Sequence, residues 1–499
     1  MSSVPAVPVV SSRQRIEDED IDIPIPEEPY HDDEEQERPT VSDGEEDEQL
    51  PARQHSYEAS VVSIQSNPPP YELYPPAKSI FGRFFNWLRK IPSINTHQPI
   101  YLPTINNENS SSAKYRIALI SISCFLLVLF SFLLFCSLYF SPINYPDPIY
   151  PDKTTNSTAR FLTLNIFMRP PLIKNNWSDY KDDRLAYIEK YILPEYDVVA
   201  FQESFAFASR RKDQLITNAR NMGYNYHVES PRKYPWQLGV DGGLLILSRF
   251  PIRQSDIIEY PRGQHSDWLS IKGALHALIE LNATRKMHFY TTHTQASYDL
   301  NNVINEDDTT IRLSQFALLH SFIADTAIND NNPIMVVGDL NVDAAIHPKG
   351  VPITRRLNDS SPEYVKMVDV IKGTGVLKRF VSTDERWFEH PWKLNDLKDI
   401  VYDHYGYHPI TFGDYKIKED GEIIPAETVL TNWDVLLTAQ SIDRIFWSDR
   451  QSNIIKPQLP QVQKFWVEEN DRMSDEERKE TKFTQISDHY GLSCEIHLL

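Results

Sequence analysis

The chain has 499 residues, enough for two or three domains, and its 70 acidic against 50 basic residues leave a formal charge of −20. With 35 prolines, 16 glycines and 3 cysteines it is neither collagen-like nor Gly-rich, and it is not a disulfide-stapled or zinc-finger module. Residues 1–75 alone carry a net −15 (19 acids, four arginines), so the other 424 hold only −5 and the acidity says little about a substrate.

In residues 1–75 the acidic runs Glu17–Asp20, Asp32–Glu35 and Glu45–Glu48 are mixed with Pro and Ser. So little apolar surface does not offset the entropy of ordering, which predicts a disordered acidic tail. Within it Pro68-Pro69-Pro70-Tyr71 fits the PPxY pattern that WW domains bind, the alternative being a Pro-rich spacer. Residues 76–94 place Ile80, Phe81, Phe84, Leu88 and Ile91 at helical spacing among Lys78, Arg83, Arg89 and Lys90, beside Trp87. That is a basic amphipathic segment suited to an anionic membrane surface.

Residues 117–140 are 24 in number and carry no charge. As a helix they span about 36 Å against a hydrocarbon layer of roughly 30 Å, which predicts a single transmembrane helix. Lys114 and Arg116 abut its start, whereas the first basic residue beyond it is Lys153. The positive-inside bias therefore predicts a cytosolic N-terminus and a lumenal or extracellular C-terminal part. Sequons at Asn156, Asn176, Asn282 and Asn358 agree with that side being glycosylated.

From Phe161 onward strand-like and helix-like segments alternate. RFLTLNIF, DVVAFQE, GLLILS, GALHALIEL, MHFYTTHT, PIMVVGDLN, SIDRIFW and LSCEIHLL read as strands. Residues 181–192, 209–222 and 309–327 carry helical spacing, while 350–435 resist assignment and read as an elaborated insertion. The pattern predicts one large α/β domain over 156–499, with two packed sheets covered by helices.

The strands repeatedly end in polar groups: Asn165, Gln202-Glu203, His293, Asp339 and Asn341, Asp443, and Ser487-Asp488-His489 before the last strand. One Asp or Asn after a strand is an ordinary turn former, but six recurrences place such groups along a common rim. A carboxylate such as Glu203 with an Asn carbonyl suits Mg²⁺, and a His beside a carboxylate suits general-base work near neutral pH. With no nucleophile elbow and no P-loop, hydrolysis of a phosphate ester by direct attack of water fits best.

LTLNIF, FQESF, LSRFPI, THTQA, GDLNVD, SIDRIFW and SDHYG, in this order, resemble the endonuclease/exonuclease/phosphatase superfamily. That resemblance implies a four-layer α/β/β/α sandwich. QESF, GGLLILSRFPI and above all Asp267-Trp-Leu-Ser-Ile-Lys272-Gly-Ala-Leu are similar to its neutral sphingomyelinase branch, with Ile271 the local departure. The resemblance implies Glu203 as the main Mg²⁺ ligand (Mn²⁺ the alternative ion), with Asn165 beside it and Asp488 as a further site carboxylate. Asp339 and Asn341 would position water or phosphate, and His293 would sit on the phosphate or leaving-group side. His489 would be the general base oriented by Asp443, and Lys272 would reach the phosphate with Asp267 as its partner.

The expected activity is that of a membrane-anchored phospholipase-C-type sphingomyelinase releasing ceramide and a phosphorylated head group, choline or inositol phosphate. Tyr234, Trp236 and Trp268 are candidates for the lipid interface or for partial burial. The rivals are a nuclease, which calls for a basic groove, and a phosphoinositide phosphatase, which needs cytosolic access. A non-catalytic trafficking protein acting through its PPxY tail is the rival from another class.

Overall fold

The computed structural model describes residues 110–176, 178–298, 305–347, 357–375, 391–431 and 438–499. The acidic tail, the PPxY motif, the 76–94 segment and the sequon at Asn109 lie outside the described residues. Helix α1 (Ser110–Phe140) covers the uncharged run. Ile117, Phe125, Val128 and Phe130 point outward all around it, so it is long and apolar enough to cross a membrane.

The rest follows in chain order. β1 (Thr158–Met168) leads into α2 (Lys181–Tyr187), which tightens into a π turn, Ile188–Ile192, and a short 3₁₀ turn holding Pro194. Proline has no N–H to continue the ladder, so the helical segment stops there. Next come β2 (Val198–Ser204), α3 (Arg211–Asn221), β3 (Tyr226–Glu229) and β4 (Leu245–Ser248). β5 (Ile252–Glu259), β6 (Gly273–Asn282) and β7 (Arg285–His293) form a meander before α4 (Glu306–Ala327). α4 starts three residues before the expected 309, because the Asn305 side chain caps the amides of Asp307 and Asp308 and three acids favour the first turn.

β8 (Ile334–Asp339), α5 (Pro362–Ile371), β9 (Lys398–Asp399) and α6 (Ile400–Tyr405) follow. The short strands β10 (Phe412–Gly413), β11 (Tyr415–Ile417) and β12 (Ile423–Pro425) share with α5, β9 and α6 the stretch that resisted assignment, and β13 (Ala439–Gln440) lies just beyond it. β14 (Asp443–Ser448), β15 (Ile455–Gln463), α7 (Asp475–Glu480) and β16 (Gly491–Leu498) complete the chain.

The long strands make two six-stranded sheets, ordered β15-β16-β1-β2-β4-β3 and β5-β6-β7-β8-β14-β9. One buried cluster draws on both: Phe161, Val198, Ala200 and Ile246 from the first meet Leu275, Phe289, Met335 and Ile445 from the second. A second cluster joins the first sheet to α2 and α3 through Leu164, Phe201, Leu185, Ile188, Leu215 and Ile216. A third joins the other sheet to α4 and α5 through Tyr290, Val336, Phe316, Ile323, Met367 and Ile371. Strands buried on both faces need continuous apolar runs, as in VVAF and IMVV.

Candidate active site

Register gathers the strand ends. On the first sheet Asn165 of β1 pairs with Gln202 of β2, which sets Glu203 one residue beyond. On the second, His293 of β7 pairs with Asp339 of β8, and Asp339 pairs in turn with Asp443 of β14. Gln202 links the sheets from below, donating to the hydroxyls of Thr163 at 3.0 Å and Thr291 at 2.9 Å.

Asn165 Nδ2 stands at the centre of the cluster. It lies 3.0 Å from Asp339 Oδ2, 3.4 Å from Glu203 Oε1 and 3.4 Å from His489 Nε2, while its Oδ1 accepts the Phe167 amide. His489 turns Nδ1 to Asp443 Oδ2 at 3.0 Å, leaving Nε2 toward the cluster, 3.7 Å from Asp339 Oδ2. His293 Nε2 approaches that same Asp339 oxygen at 3.4 Å, and its buried Nδ1 has no partner. Asn341 returns its amide to Asp339 Oδ1 at 3.0 Å. Glu203 and Asn341 both hold left-handed backbone, φ 54° and 50°, a strained conformation that clusters where a side chain must be aimed.

Lys272 and Asp267 meet directly, Nζ to Oδ2 at 2.7 Å, and both are buried. Lys272 also donates to the Thr294 carbonyl at 2.6 Å, which Asn341 Nδ2 shares at 2.9 Å. Asp267 Oδ2 accepts the Ala296 amide as well. The pair is thus tied to the main cluster through one carbonyl, and Asp488 acts electrostatically on Glu203 and His489, so the ten residues to which the resemblance gives a role share this neighbourhood.

The charges are set by burial and by each other. Burial, reinforced by Asp488, raises the Glu203 carboxyl above its usual range. Burial likewise raises Asp339, with Asp443 adding to it and His489 opposing. His293 is held far below an ordinary imidazole by burial, then by Lys272 and His489. Burial works against charge on His489 too, but Asp443 and Asp339 overcome it and hold the imidazolium. The two imidazoles are thus pushed in opposite directions, His293 toward the neutral form and His489 toward the protonated one.

Asp339, Asp443 and His489 bring three potential ligand atoms within 4.8 Å of one another. Their best-directed atoms are already spent on one another and on the Asn341 amide, whereas Glu203 Oε2 is buried without a partner near the Asp488 carboxylate. An orphaned carboxylate oxygen beside a second carboxylate is a donor set that suits a hard divalent cation.

Several supporting residues carry no local signal. Arg184 is fully buried in α2 and donates to the carbonyls of Ile166, Phe167, Asp179 and Ile486. It thereby fixes the end of β1 against the loop that carries Asp488 and His489. Ser487 Oγ donates to the Asn165 carbonyl at 2.6 Å, and Thr411 Oγ1 accepts the amides of Ile442 and Asp443 at 3.0 Å each. A lone Arg in a helix or Thr in a loop gives the sequence nothing to recognise.

Residues 162–489 match the Endonuclease/Exonuclease/phosphatase family. A sphingomyelinase of Dictyostelium discoideum is 29% identical over 407 residues, 72% of this chain and 84% of that protein. Sphingomyelinase C 2 of Leptospira interrogans is 30% identical over 227 residues, 43% of this chain and 35% of its own length. Among solved structures, a Staphylococcus aureus beta toxin mutant with bound magnesium ions aligns over 68% of this chain and 99% of its own, at 19% identity and a TM-score of 0.40.

Proposed function

The chain belongs to the endonuclease/exonuclease/phosphatase family, on its neutral sphingomyelinase branch, and is a phosphodiesterase hydrolase; from that premise we propose that it is a membrane-anchored, Mg²⁺-dependent enzyme that cleaves sphingomyelin or a related phosphosphingolipid to ceramide and a phosphorylated head group. The layering of helices and sheets over 156–499 is read as the α/β/β/α sandwich, and α1 as the anchor. The observation that carries the reading is the meeting, at one rim, of a His–Asp pair with an unpartnered buried carboxylate oxygen.

Glu203 and Asp488 are the pair that would hold the divalent ion, with Asn165 beside them donating through Nδ2 to Glu203 Oε1. When bound there, such an ion supplies charge that stabilises the phosphate in the transition state and favours the neutral form of the nearby imidazole. The rest is done by the chain itself. His489 is assigned proton transfer with the attacking water at Nε2, its ring fixed by Asp443 through Nδ1. Asn165 Nδ2 and Asn341 orient water and phosphate oxygens, and Lys272 supplies positive charge to the phosphate. His293, whose burial disfavours its protonated form, faces the phosphate or leaving group. Tethering by α1 keeps the domain in the plane where a lipid substrate is concentrated.

Sphingomyelin, a phosphoinositide and DNA assayed side by side, with His489→Ala and Glu203→Gln controls, test the reading. Turnover of sphingomyelin that falls by about 10²-fold or more in each variant supports it. Preferred turnover of DNA or the phosphoinositide by the unaltered chain, or near-normal activity in either variant, removes it.

A further inference from the structure

Two loops beside the site leave large apolar side chains in the open. Trp236 and Leu238 follow β3, and Trp268 and Leu269 precede β6; each is between 47% and 67% exposed. Arg262 fastens the loops together, donating to the carbonyls of Gln237 at 3.1 Å, Leu238 at 2.9 Å and Trp268 at 2.8 Å. Its guanidinium also lies 4.6 Å from the Trp268 ring centre. Val240 adds two backbone hydrogen bonds, to Leu269 and from Ile271. The four apolar side chains thus sit on one pinned unit, and a contiguous exposed apolar patch marks a contact surface.

The same unit is joined to the end of α1. Tyr234 stacks on Trp236 at 4.6 Å and faces Phe140, the last residue of α1, at 6.2 Å. Phe140 is buried there against Phe207. Arg210 donates to the carbonyls of Ser137, Leu138 and Ser141, satisfying the open C-terminal end of the helix, and is itself held by Asp213 at 2.8 Å. Tyr234, one of the three aromatic candidates from the sequence, is therefore spent on packing against the anchor, while Trp236 and Trp268 remain outward.

We propose that Trp236, Leu238, Trp268 and Leu269 form a bilayer-docking surface, pressed by the clamped end of α1 into the leaflet that the anchor leaves. The occupant is lipid and not another protein, because the patch is continuous with a helix of membrane length. Tryptophan and leucine are the side chains that settle at a lipid interface. This rests on the reading of α1 as a membrane anchor. Asp267 immediately precedes Trp268, so the depth of the patch sets how the Asp267–Lys272 pair meets the membrane surface.

The test uses the full chain carrying Cys124→Ser, reconstituted in phosphatidylcholine vesicles that contain sphingomyelin. Bimane is attached at Leu269→Cys or, as the control, at Leu459→Cys on β15, the opposite edge of the sheet from β3. Nitroxide-labelled phosphatidylcholine should quench the label at 269 and spare the one at 459, with iodide in the buffer giving the reverse. Changing all four residues to Ser should cut turnover of sphingomyelin in the vesicles by about tenfold or more and leave a water-soluble short-chain analogue unaffected. Carbonate washing separates the failures. Protein released by carbonate removes the anchor reading and the docking surface with it. Protein that is retained, yet whose label at 269 answers to iodide and not to nitroxide, overturns the docking surface alone.

Discussion

Asp267 concentrates two donors on one carboxylate oxygen, the Lys272 ammonium and the Ala296 amide. A lysine that must reach a phosphate has to exchange this partner for the substrate, so the pair can act as a gate. Lys272→Ala should abolish most turnover. Asp267→Asn keeps an acceptor for Ala296 and loses only the charge; if the pair is a gate, turnover should fall by about tenfold with little change in melting temperature. A silent Asp267→Asn would leave Lys272 as a phosphate ligand without a switch. Arg184 offers a second check, because its fork serves four carbonyls and an ammonium does not reproduce that geometry. Arg184→Lys should destabilise the domain by about 2–3 kcal/mol in denaturant titration and lower turnover with it; unchanged stability would show that the clamp is dispensable. The contrast explains what was legible at this scale. Glu203 and Asp339 stand where apolar runs stop and Asp443 and His489 where they start, so polarity against periodicity exposes them. Arg184, Ser487 and Thr411 act through backbone groups of distant segments, and nothing beside them in the sequence marks that role.

Among the elements, the eight strands read from the sequence are the eight interior strands of the two sheets, and the four overlooked, β3, β5, β9 and β15, are the four edges. An interior strand is covered by neighbours and core, which forces a continuous apolar run. An edge faces water and is protected by charge and proline, as in IRQSDIIE of β5 and IKPQLPQVQ of β15, and so resembles a loop. Interior strands also tolerate backbone change least. Gly338 in β8 has φ 139°, and a Cβ there would stand 2.1 Å from the Thr292 carbonyl oxygen on β7. Gly338→Ala should therefore cost about 2 kcal/mol or more and disturb the pairing of His293 with Asp339, seen as lower melting temperature and lost turnover together. Across β5, β6 and β7 a second arrangement predicts acid sensitivity. His276 bridges Asp256 and His288, and His288 reaches Asp330. Burial lowers His276 from 6.5 to about 4, with Asp256 opposing, and lowers His288 in the same direction. Unfolded imidazoles take up protons as pH falls below 6.5 while the folded pair resists, so stability present above that value is lost on the way down to about 4. On the order of 3 kcal/mol is at stake. Melting curves from pH 7.5 to 4.5 should fall less steeply in a His276→Asn/His288→Asn double variant; parallel curves would assign the acid loss to other groups.

For the molecule as a whole, orientation decides which lipid leaflet the site meets. The basic residues nearest the anchor, those of 78–90 with Lys114 and Arg116, precede α1, and the positive-inside bias predicts that they stay in the cytosol. That orientation would leave the PPxY tyrosine Tyr71 open to cytosolic WW domains and would set the domain after α1 on the lumenal or exterior side. Cys494, buried in β16, is compatible with an oxidising compartment. The fold adds a finer expectation about glycans. Asn156 and Asn358 are exposed, whereas Asn176 Nδ2 donates to the carbonyls of Val429 and Thr431 and Asn282 Nδ2 to that of Thr155. Stable modification should therefore concentrate at Asn156 and Asn358, with the sequon at Asn109 left bare. Glycosidase should lower the mass of the 141–499 portion, and Asn156→Gln with Asn358→Gln should remove most of that shift. Protease added to sealed microsomes should shorten the tail and spare the catalytic domain. Digestion of the domain with the tail protected would reverse the topology. A cytosolic phospholipid would then replace a lumenal or outer-leaflet sphingolipid as the substrate to test first.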